Sequence, residues 1–128
     1  RAVLEGVAFS LRDTFGIFTA LGVPVTNVRV GGGGARSALW RRIQAAVYGY
    51  PVETVAAEEG AAYGAAILAG VGAGLWPSVD EACDAVVRGA SVTPIDAAER
   101  PVLDARYAEY RRIYPALRQI FQPRTTAG

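Results

Sequence analysis

The sequence has 128 residues, enough for about one domain with a hydrophobic core, and it begins with Arg1 and contains no Met, so we expect it to be cut from a longer protein. Its composition is 52% hydrophobic and 20% charged, as in ordinary globular proteins. A net charge of +1 gives no basic face of the kind that binds nucleic acid, so no nucleic-acid partner is expected.

Missing residue types exclude several kinds of active site. The chain has no His and one Cys, so it can form neither a Ser-His-Asp triad, nor a Cys-His pair, nor a His-ligated metal site. Cys83 lies among apolar residues and is predicted to be an unpaired core thiol, as is common in cytosolic proteins. No apolar run approaches the ~20 residues that a membrane span needs. We therefore expect a soluble cytoplasmic protein with no membrane partner.

The first half of the chain predicts a helix, a strand, a second helix and a second strand. A helix over about residues 2–21 carries one apolar stripe, formed by Leu4, Val7, Leu11, Phe15 and Phe18. Gly22 ends this helix, and the apolar run Val23–Val30 predicts a strand of a buried parallel sheet. The second helix begins at Ser37 and stops at Gly49, and Val52–Val55 predicts the second strand.

The second half predicts helices only. A helix over Gly60–Val71 ends in a glycine turn, and Ser78 caps a short helix over about residues 79–88. The last helix carries an apolar and aromatic stripe that should pack onto the core: Leu103, Tyr107, Tyr110, Tyr114, Leu117 and Phe121. Pro115 lies within it and predicts a kink or a division into two helices. We expect one domain over residues 1–122 and a disordered tail over residues 123–128.

Four consecutive glycines, Gly31–Gly34, join the first strand to the second helix. Glycine has no Cβ, so a ligand can touch the backbone, and the helix that follows offers unpaired N–H groups and the positive end of its dipole. A strand, a glycine loop and a helix in this order indicate a nucleotide site. The spacing fits neither the dinucleotide fingerprint, whose last glycine would fall at Arg36 or Ser37, nor the P-loop, which needs a Lys that the chain lacks. A tight turn that only lets strand and helix pack closely stays an alternative.

Three stretches of the chain follow one another in a specific order and spacing. They are VLEGVAFSLRD (3–13), RVGGGGARSALWRRIQAAVYGYPV (29–52) and EEGAAYGAAILAGVGAG (58–74), and WPSVDEA (76–82) comes after them. Taken together they resemble the C-terminal domain of the FGGY family of carbohydrate kinases, and within that family most of all the xylulokinases. The resemblance extends over most of residues 1–122.

The resemblance implies an α/β fold, part of an actin-like ATPase (ribonuclease H-like) domain with short parallel strands and helices packed around them. The nucleotide-binding residues that it implies are Gly32, Gly33, Gly34, Ala35, Arg36 and Ser37. The three glycines would lie against the ribose and phosphates of ATP, and the other three residues would border the adenine. The flat guanidinium of Arg36 could stack over the purine.

The implied reaction is transfer of the γ-phosphoryl group of ATP, with Mg²⁺, to a sugar hydroxyl, and D-xylulose is the first candidate substrate. The family's sugar site and catalytic Asp belong to upstream regions outside these residues, so no catalytic residue and no metal ligand are assigned here. We expect the chain alone to be inactive. Because two strands leave the edges of a sheet open, it should also self-associate or be marginally stable.

Two other functions stay open. A dinucleotide-using domain would need an acidic residue for the ribose of NAD, and Glu53 and Glu58 follow the loop by about 20 residues. A noncatalytic interaction module would use the aromatic face of the last helix. The pair Glu58–Glu59 is interpreted as a complement to the dipole of the helix that follows rather than as a Mg²⁺ site. The glycines and alanines of that helix predict a flat surface against the glycine loop.

Overall fold

The computed structural model describes residues 1–56 and 60–121. These ranges contain five α-helices and three strands, with one turn of 3-10 helix at Gly33–Arg36. The helices are α1 (Ala2–Ala20), α2 (Ala38–Tyr48), α3 (Gly60–Gly72), α4 (Val79–Val86) and α5 (Glu99–Phe121). The strands are β1 (Val28–Val30), β2 (Val52–Val55) and β3 (Gly89–Thr93). The predicted disordered tail, residues 123–128, lies outside the described residues.

The sheet has the order β1-β2-β3, with β2 in the middle. β1 and β2 are parallel, with Val28 beside Val52 and Val30 beside Thr54, as the sequence predicts. β3 is antiparallel to β2 and corrects the prediction that only helices follow β2. Its sequence, GASVT, contains a glycine and lacks a clear alternation, and its residues are mostly exposed, so neither of the usual sequence signals for a strand is present.

The first strand is shorter than predicted. Pairing begins at Val28, and residues 23–27 form no strand. In the observed register Val28 lies beside Val52, the first residue of β2, so the parallel pairing begins there. Pro24 also lacks the N–H that a paired strand would need.

The core lies where α2 packs against α1, α5 and the sheet. Its buried residues are Ala8, Phe9, Ile43, Ala45, Ala46, Val47, Tyr48, Val52 and Leu103. The predicted stripe of α1 is only partly right, because Leu4 and Phe15 pack against this core while Val7 and Leu11 are exposed. The face of α1 that is buried carries Glu5, whose carboxylate is neutralised by arginines and can therefore leave water.

Helix α5 runs through Pro115 without dividing, so of the two predicted alternatives, a kink or a division, the division is wrong. Its first half packs onto the core, where the rings of Tyr107 and Tyr110 lie 5.8 and 5.5 Å from that of Phe9. From Tyr114 onward the stripe is more open, and Tyr114 and Phe121 are 65% and 67% exposed. The predicted aromatic packing is therefore confirmed for the first half of the stripe.

Helix α3 packs against α4, and the Tyr63 hydroxyl donates to the Val86 carbonyl at 2.6 Å. A Cβ built at Gly60 or Gly64 would meet nothing within 4 Å among the described atoms, and Ala61, Ala62, Ala65 and Ala66 are exposed. The sequence predicts that the flat surface of α3 packs against the glycine loop. This prediction is wrong, because the surface is open. Over the described ranges, no helix is both long and apolar enough to cross a bilayer.

Candidate nucleotide-binding site

The glycine loop leaves the carboxyl end of β1 and enters α2 through the 3-10 turn. Two backbone hydrogen bonds shape it: the Ala35 N–H donates to the Gly32 carbonyl at 3.0 Å, and the Ser37 N–H donates to the Gly34 carbonyl at 3.1 Å. Because β1 and β2 are parallel, the carboxyl ends of both strands meet at this edge of the sheet. A ligand site at the carboxyl edge of parallel strands is the usual arrangement in α/β proteins.

The four glycines differ in what requires them. Gly32 has φ 74° and ψ −178°, a backbone conformation that is essentially restricted to glycine. A Cβ at Gly31 or Gly33 would meet no described atom within 4 Å, and one at Gly34 would make an ordinary contact of 3.5 Å with the Trp40 ring. The conformation of the loop therefore explains the glycine at one position, while Gly31 and Gly33 present bare backbone to open space.

A cavity of about 250 Å³ lies beside this loop. Three segments line it, namely the glycine loop with the start of α2, the end of β2, and β3, through the residues Gly31, Gly32, Ala35, Arg36, Arg41, Thr54, Val55, Ala56, Ala90 and Ser91. Two of these residues are arginines and none is acidic. Among the described residues, the charge at the cavity is therefore positive, which suits an anion.

Hydroxyl groups join the two strands at the wall of the cavity. The Thr54 and Ser91 hydroxyl oxygens lie 2.8 Å apart, and the Ser91 N–H donates to the Thr54 hydroxyl oxygen at 3.1 Å. These bonds hold both side chains in place across β2 and β3. The wall thus offers fixed polar groups that could bond a sugar or phosphate oxygen of a ligand.

The six residues implied by the resemblance divide into two groups. Gly32, Ala35 and Arg36 line the cavity, and Arg36 is exposed at the end of the 3-10 turn. Gly33 and Gly34 lie in the same turn but outside the lining. Ser37 is the N-cap of α2, where its side-chain oxygen accepts from the Trp40 N–H at 3.2 Å.

Sequence reasoning missed the other walls of the cavity. Thr54 could have been found, because parallel pairing places the end of β2 beside the glycine loop. Ser91 could not, because β3 itself was not predicted. Arg41 gave no signal, since an arginine in the first turn of an amphipathic helix is ordinarily exposed, whereas this one is half-buried and turned toward the loop.

No carboxylate in the described part of the chain is placed to hold Mg²⁺ at this cavity. No group of three or more His, Cys, Asp or Glu side chains forms a metal-binding cluster within residues 1–56 and 60–121. The acidic pair Glu58–Glu59 lies outside the described residues, so its predicted role stays a prediction. The cavity therefore offers an anion bare backbone and arginines but no carboxylate ligands, and we derive no step through a metal ion.

Of the two acidic residues considered for a dinucleotide site, Glu58 lies outside the described residues and Glu53 is engaged elsewhere. Glu53 accepts a hydrogen bond from the Arg29 guanidinium at 2.9 Å, and its side chain lies over Gly89. It lines a second, smaller cavity with Asn27 and Tyr50 rather than the one at the glycine loop. The structure therefore does not place Glu53 to bind the ribose of NAD at the glycines.

A third cavity, of about 890 Å³, is larger but lies apart from the glycine loop, between α1 and α5. Its lining is mainly apolar and aromatic and includes Ile17, Tyr110 and Tyr114. It is a groove between two helices rather than a strand edge, and the cavity beside the glycines remains the better candidate for a nucleotide.

Residues 1–73 match the profile of the FGGY family of carbohydrate kinases, C-terminal domain. The chain belongs to this family. It is 30% identical over 120 residues to the xylulose kinase of Staphylococcus epidermidis, covering 94% of this chain and 24% of that one. It is 39% identical over 118 residues to the glycerol kinase of Gloeobacter violaceus, covering 88% and 22%. The crystal structure of xylulose kinase from Rhodospirillum rubrum has 32% identity and a TM-score of 0.78, covering 94% and 25%.

The FGGY kinases have an actin-like ATPase fold, so the mixed α/β architecture described above is part of such a domain. The family resemblance and the fold class expected from the sequence are both confirmed. The chain spans about a quarter of the length of the xylulose and glycerol kinases that it matches.

Proposed function

We propose that this chain forms the nucleotide-binding part of an ATP-dependent sugar kinase. The kinase transfers the γ-phosphoryl group of ATP to a hydroxyl of a ketopentose, with D-xylulose as the first candidate substrate. The observation that carries the proposal is the position of the glycine loop. Bare backbone at Gly31 and Gly33 lies at the carboxyl edge of two parallel strands, beside a cavity whose lining includes two arginines and no acidic residue.

Each part of the loop has a role in this proposal. Gly32 turns the backbone, and Gly33 and Gly34 leave room for the ribose and phosphates. The start of α2, capped by Ser37, contributes the positive end of a helix dipole. Arg36 stacks its guanidinium over the adenine, while Ala35 and Ser37 border the base.

The remaining machinery lies outside this chain in the proposal. Mg²⁺, which neutralises the transferring phosphates when bound, the sugar site and the catalytic Asp are supplied by the rest of the whole protein. No residue of this chain is assigned as catalytic, and the chain alone is expected to be inactive. A cytoplasmic location suits an ATP-dependent kinase and an unpaired thiol at Cys83.

The nucleotide proposal is tested by closing the bare backbone of the loop. In the whole protein, Gly33→Val should raise the Kd for ADP by about tenfold or more, because the side chain occupies space that the ligand needs. Gly16→Val is the matched control, since Gly16 is also exposed, without positive φ and without a described neighbour within 4 Å. Isothermal titration calorimetry gives both values. Unchanged ADP affinity in Gly33→Val, or tighter binding of NADH than of ADP by the unaltered protein, would contradict the proposal.

The substrate proposal needs a separate comparison. The relatives include a xylulose kinase and a glycerol kinase, and D-xylulose is supported by the xylulose kinases found both among the relatives and among the solved structures. ADP release by the whole protein should be measured with D-xylulose, D-ribulose, glycerol and erythritol at equal concentration. We expect the highest kcat/KM for D-xylulose, and a higher value for glycerol would assign the chain to a polyol kinase instead.

A further inference from the structure

Arg41 connects the glycine loop to the sheet. Its side chain turns back from the first turn of α2, where one guanidinium nitrogen, Nη1, donates to the Ala35 carbonyl in the 3-10 turn. The Nε–H of the same group donates to the Thr93 hydroxyl oxygen on β3 at 3.3 Å. The side chain is half-buried and also lines the cavity. One residue thus joins three elements at the candidate site.

The loop needs such a connection. A single 3-10 turn is weakly held, because its hydrogen bonds have poorer geometry than those of an α-helix, and glycine has more backbone freedom to lose than any other residue. Its last carbonyls also lack partners within the turn, and a cationic donor near the end of a helix satisfies one of them. The bond from Arg41 to the Ala35 carbonyl meets this need from outside the loop.

We propose that Arg41 is a positioning residue, which holds the glycine loop in the shape that receives the nucleotide by bonding Ala35 and Thr93. Both of its donor atoms named above are bonded to protein acceptors. Its effect on affinity rests on the proposed nucleotide function, whereas its effect on the order of the loop does not.

Hydrogen exchange of the ligand-free whole protein tests the order of the loop. Arg41→Met keeps much of the aliphatic stem but removes the donors, so the N–H groups of Ala35 and Ser37 should exchange about tenfold faster or more. Arg42→Met is the matched control on the adjacent, exposed position and should leave both rates unchanged. The Gly49 N–H, which bonds the Ala45 carbonyl at the other end of α2, reports whether α2 itself stays folded.

Nucleotide affinity distinguishes a positioning role from a direct contact with phosphate. If the loop is in its binding shape for a smaller fraction of the time, every ligand weakens by the same factor. Arg41→Met should therefore raise the Kd for adenosine and for ADP alike, by about tenfold, and raise the KM for ATP with little change in kcat. A much larger loss for ADP than for adenosine would make Arg41 a phosphate ligand and overturn the proposal.

A second variant keeps the test decisive if Arg41→Met fails to fold. Thr93→Val removes one acceptor of Arg41 and nearly preserves the shape of the side chain. Thr93→Val should speed exchange of the Ala35 and Ser37 N–H groups, but less than Arg41→Met does. In a protein that already carries Arg41→Met, it should not speed this exchange further. Unchanged exchange at Ala35 and Ser37 in Thr93→Val and Arg41→Met overturns the inference. If the unaltered protein binds neither ADP nor adenosine, the nucleotide function fails, and the exchange rates still decide the role of Arg41.

Discussion

The buried carboxylate of Glu5 is the clearest case of a single residue whose environment depends on distant parts of the chain. It accepts from Arg1 at 2.7 Å and from Arg106 at 2.8 and 3.0 Å. Burial alone raises the pKa of Glu5, but the hydrogen bonds from the two guanidinium groups outweigh it and hold the pKa below its ordinary value of 4.5. Glu5 thus joins the start of α1 to α5 in its charged form.

Glu5→Gln should lower the free energy of unfolding at pH 7 by about 1.5–3 kcal/mol, because hydrogen bonds to a charged group are lost. Since the pKa of Glu5 is lower in the folded state, its contribution is present above the unfolded pKa and disappears as the pH falls through the folded one. Urea unfolding of the chain at pH 7 and at progressively lower pH below about 4.5 checks both points. The difference in the free energy of unfolding between Glu5→Gln and the unaltered chain should disappear at acidic pH.

Glu109→Gln, on the exposed face of α5, is the control and should change stability little at either pH. A gap between Glu5→Gln and the unaltered chain that stayed constant down to strongly acidic pH would show that the carboxylate is not held in its charged form.

At the scale of elements, helix α2 begins and ends at the residues that the sequence predicts. Ser37 caps its start and Gly49 ends it with φ 77°, in the left-handed region that favours glycine. A Cβ at Gly49 would also come within 1.9 Å of the Arg100 guanidinium at the start of α5. The end of α2 is therefore both a turn and a point of close approach.

Gly49→Ala should destabilise the chain by about 1 kcal/mol or more, because the left-handed backbone is strained with a Cβ and Arg100 must move. Gly33→Ala is the matched control: φ there is not positive and no described atom lies within 4 Å, so stability should change by less than about 0.5 kcal/mol. Thermal unfolding of both variants measures the difference. Equal stability would mean that Gly49 is not required by its conformation.

On the scale of the whole molecule, α5 completes the core that α1 and α2 begin. Leu103 is 1% exposed on α5 and belongs to the same cluster as Phe9 and Ile43. Leu117, on the same helix but beyond Pro115, is 38% exposed. The two leucines offer a comparison within one helix between a core position and an open one.

Leu103→Ala should reduce the free energy of unfolding by about 2–5 kcal/mol through lost burial and the cavity that remains. Leu117→Ala should lower the free energy of unfolding by well under half of the loss in Leu103→Ala, because the Leu117 side chain already contacts solvent. Urea unfolding at neutral pH compares the two. Similar losses would indicate that the second half of α5 is also covered, for example by association of two chains along the groove between α1 and α5.

The amino-acid sequence by itself determined the elements that local signals specify and the family to which they belong. Capping, periodicity and glycine act over a few positions, so nearby residues predict the features that depend on them. These features are the helix caps at Ser37 and Ser78, the parallel pair β1 and β2, and the loop Gly31–Gly34. The order and spacing of these elements carried the family resemblance, which the match over residues 1–73 confirms.

Only the tertiary structure decided which residues meet across the chain. β3 forms because β2 offers it an edge, and its Ser91 then becomes part of the cavity with Thr54. Arg41 reaches Thr93 across 52 positions, and Glu5 reaches Arg106 across 101. Such contacts depend on how distant segments pack, whereas the patterns in the sequence span one element at a time. This is why the glycine loop was predictable, whereas the parts of the cavity wall formed by β3 and Arg41 were not.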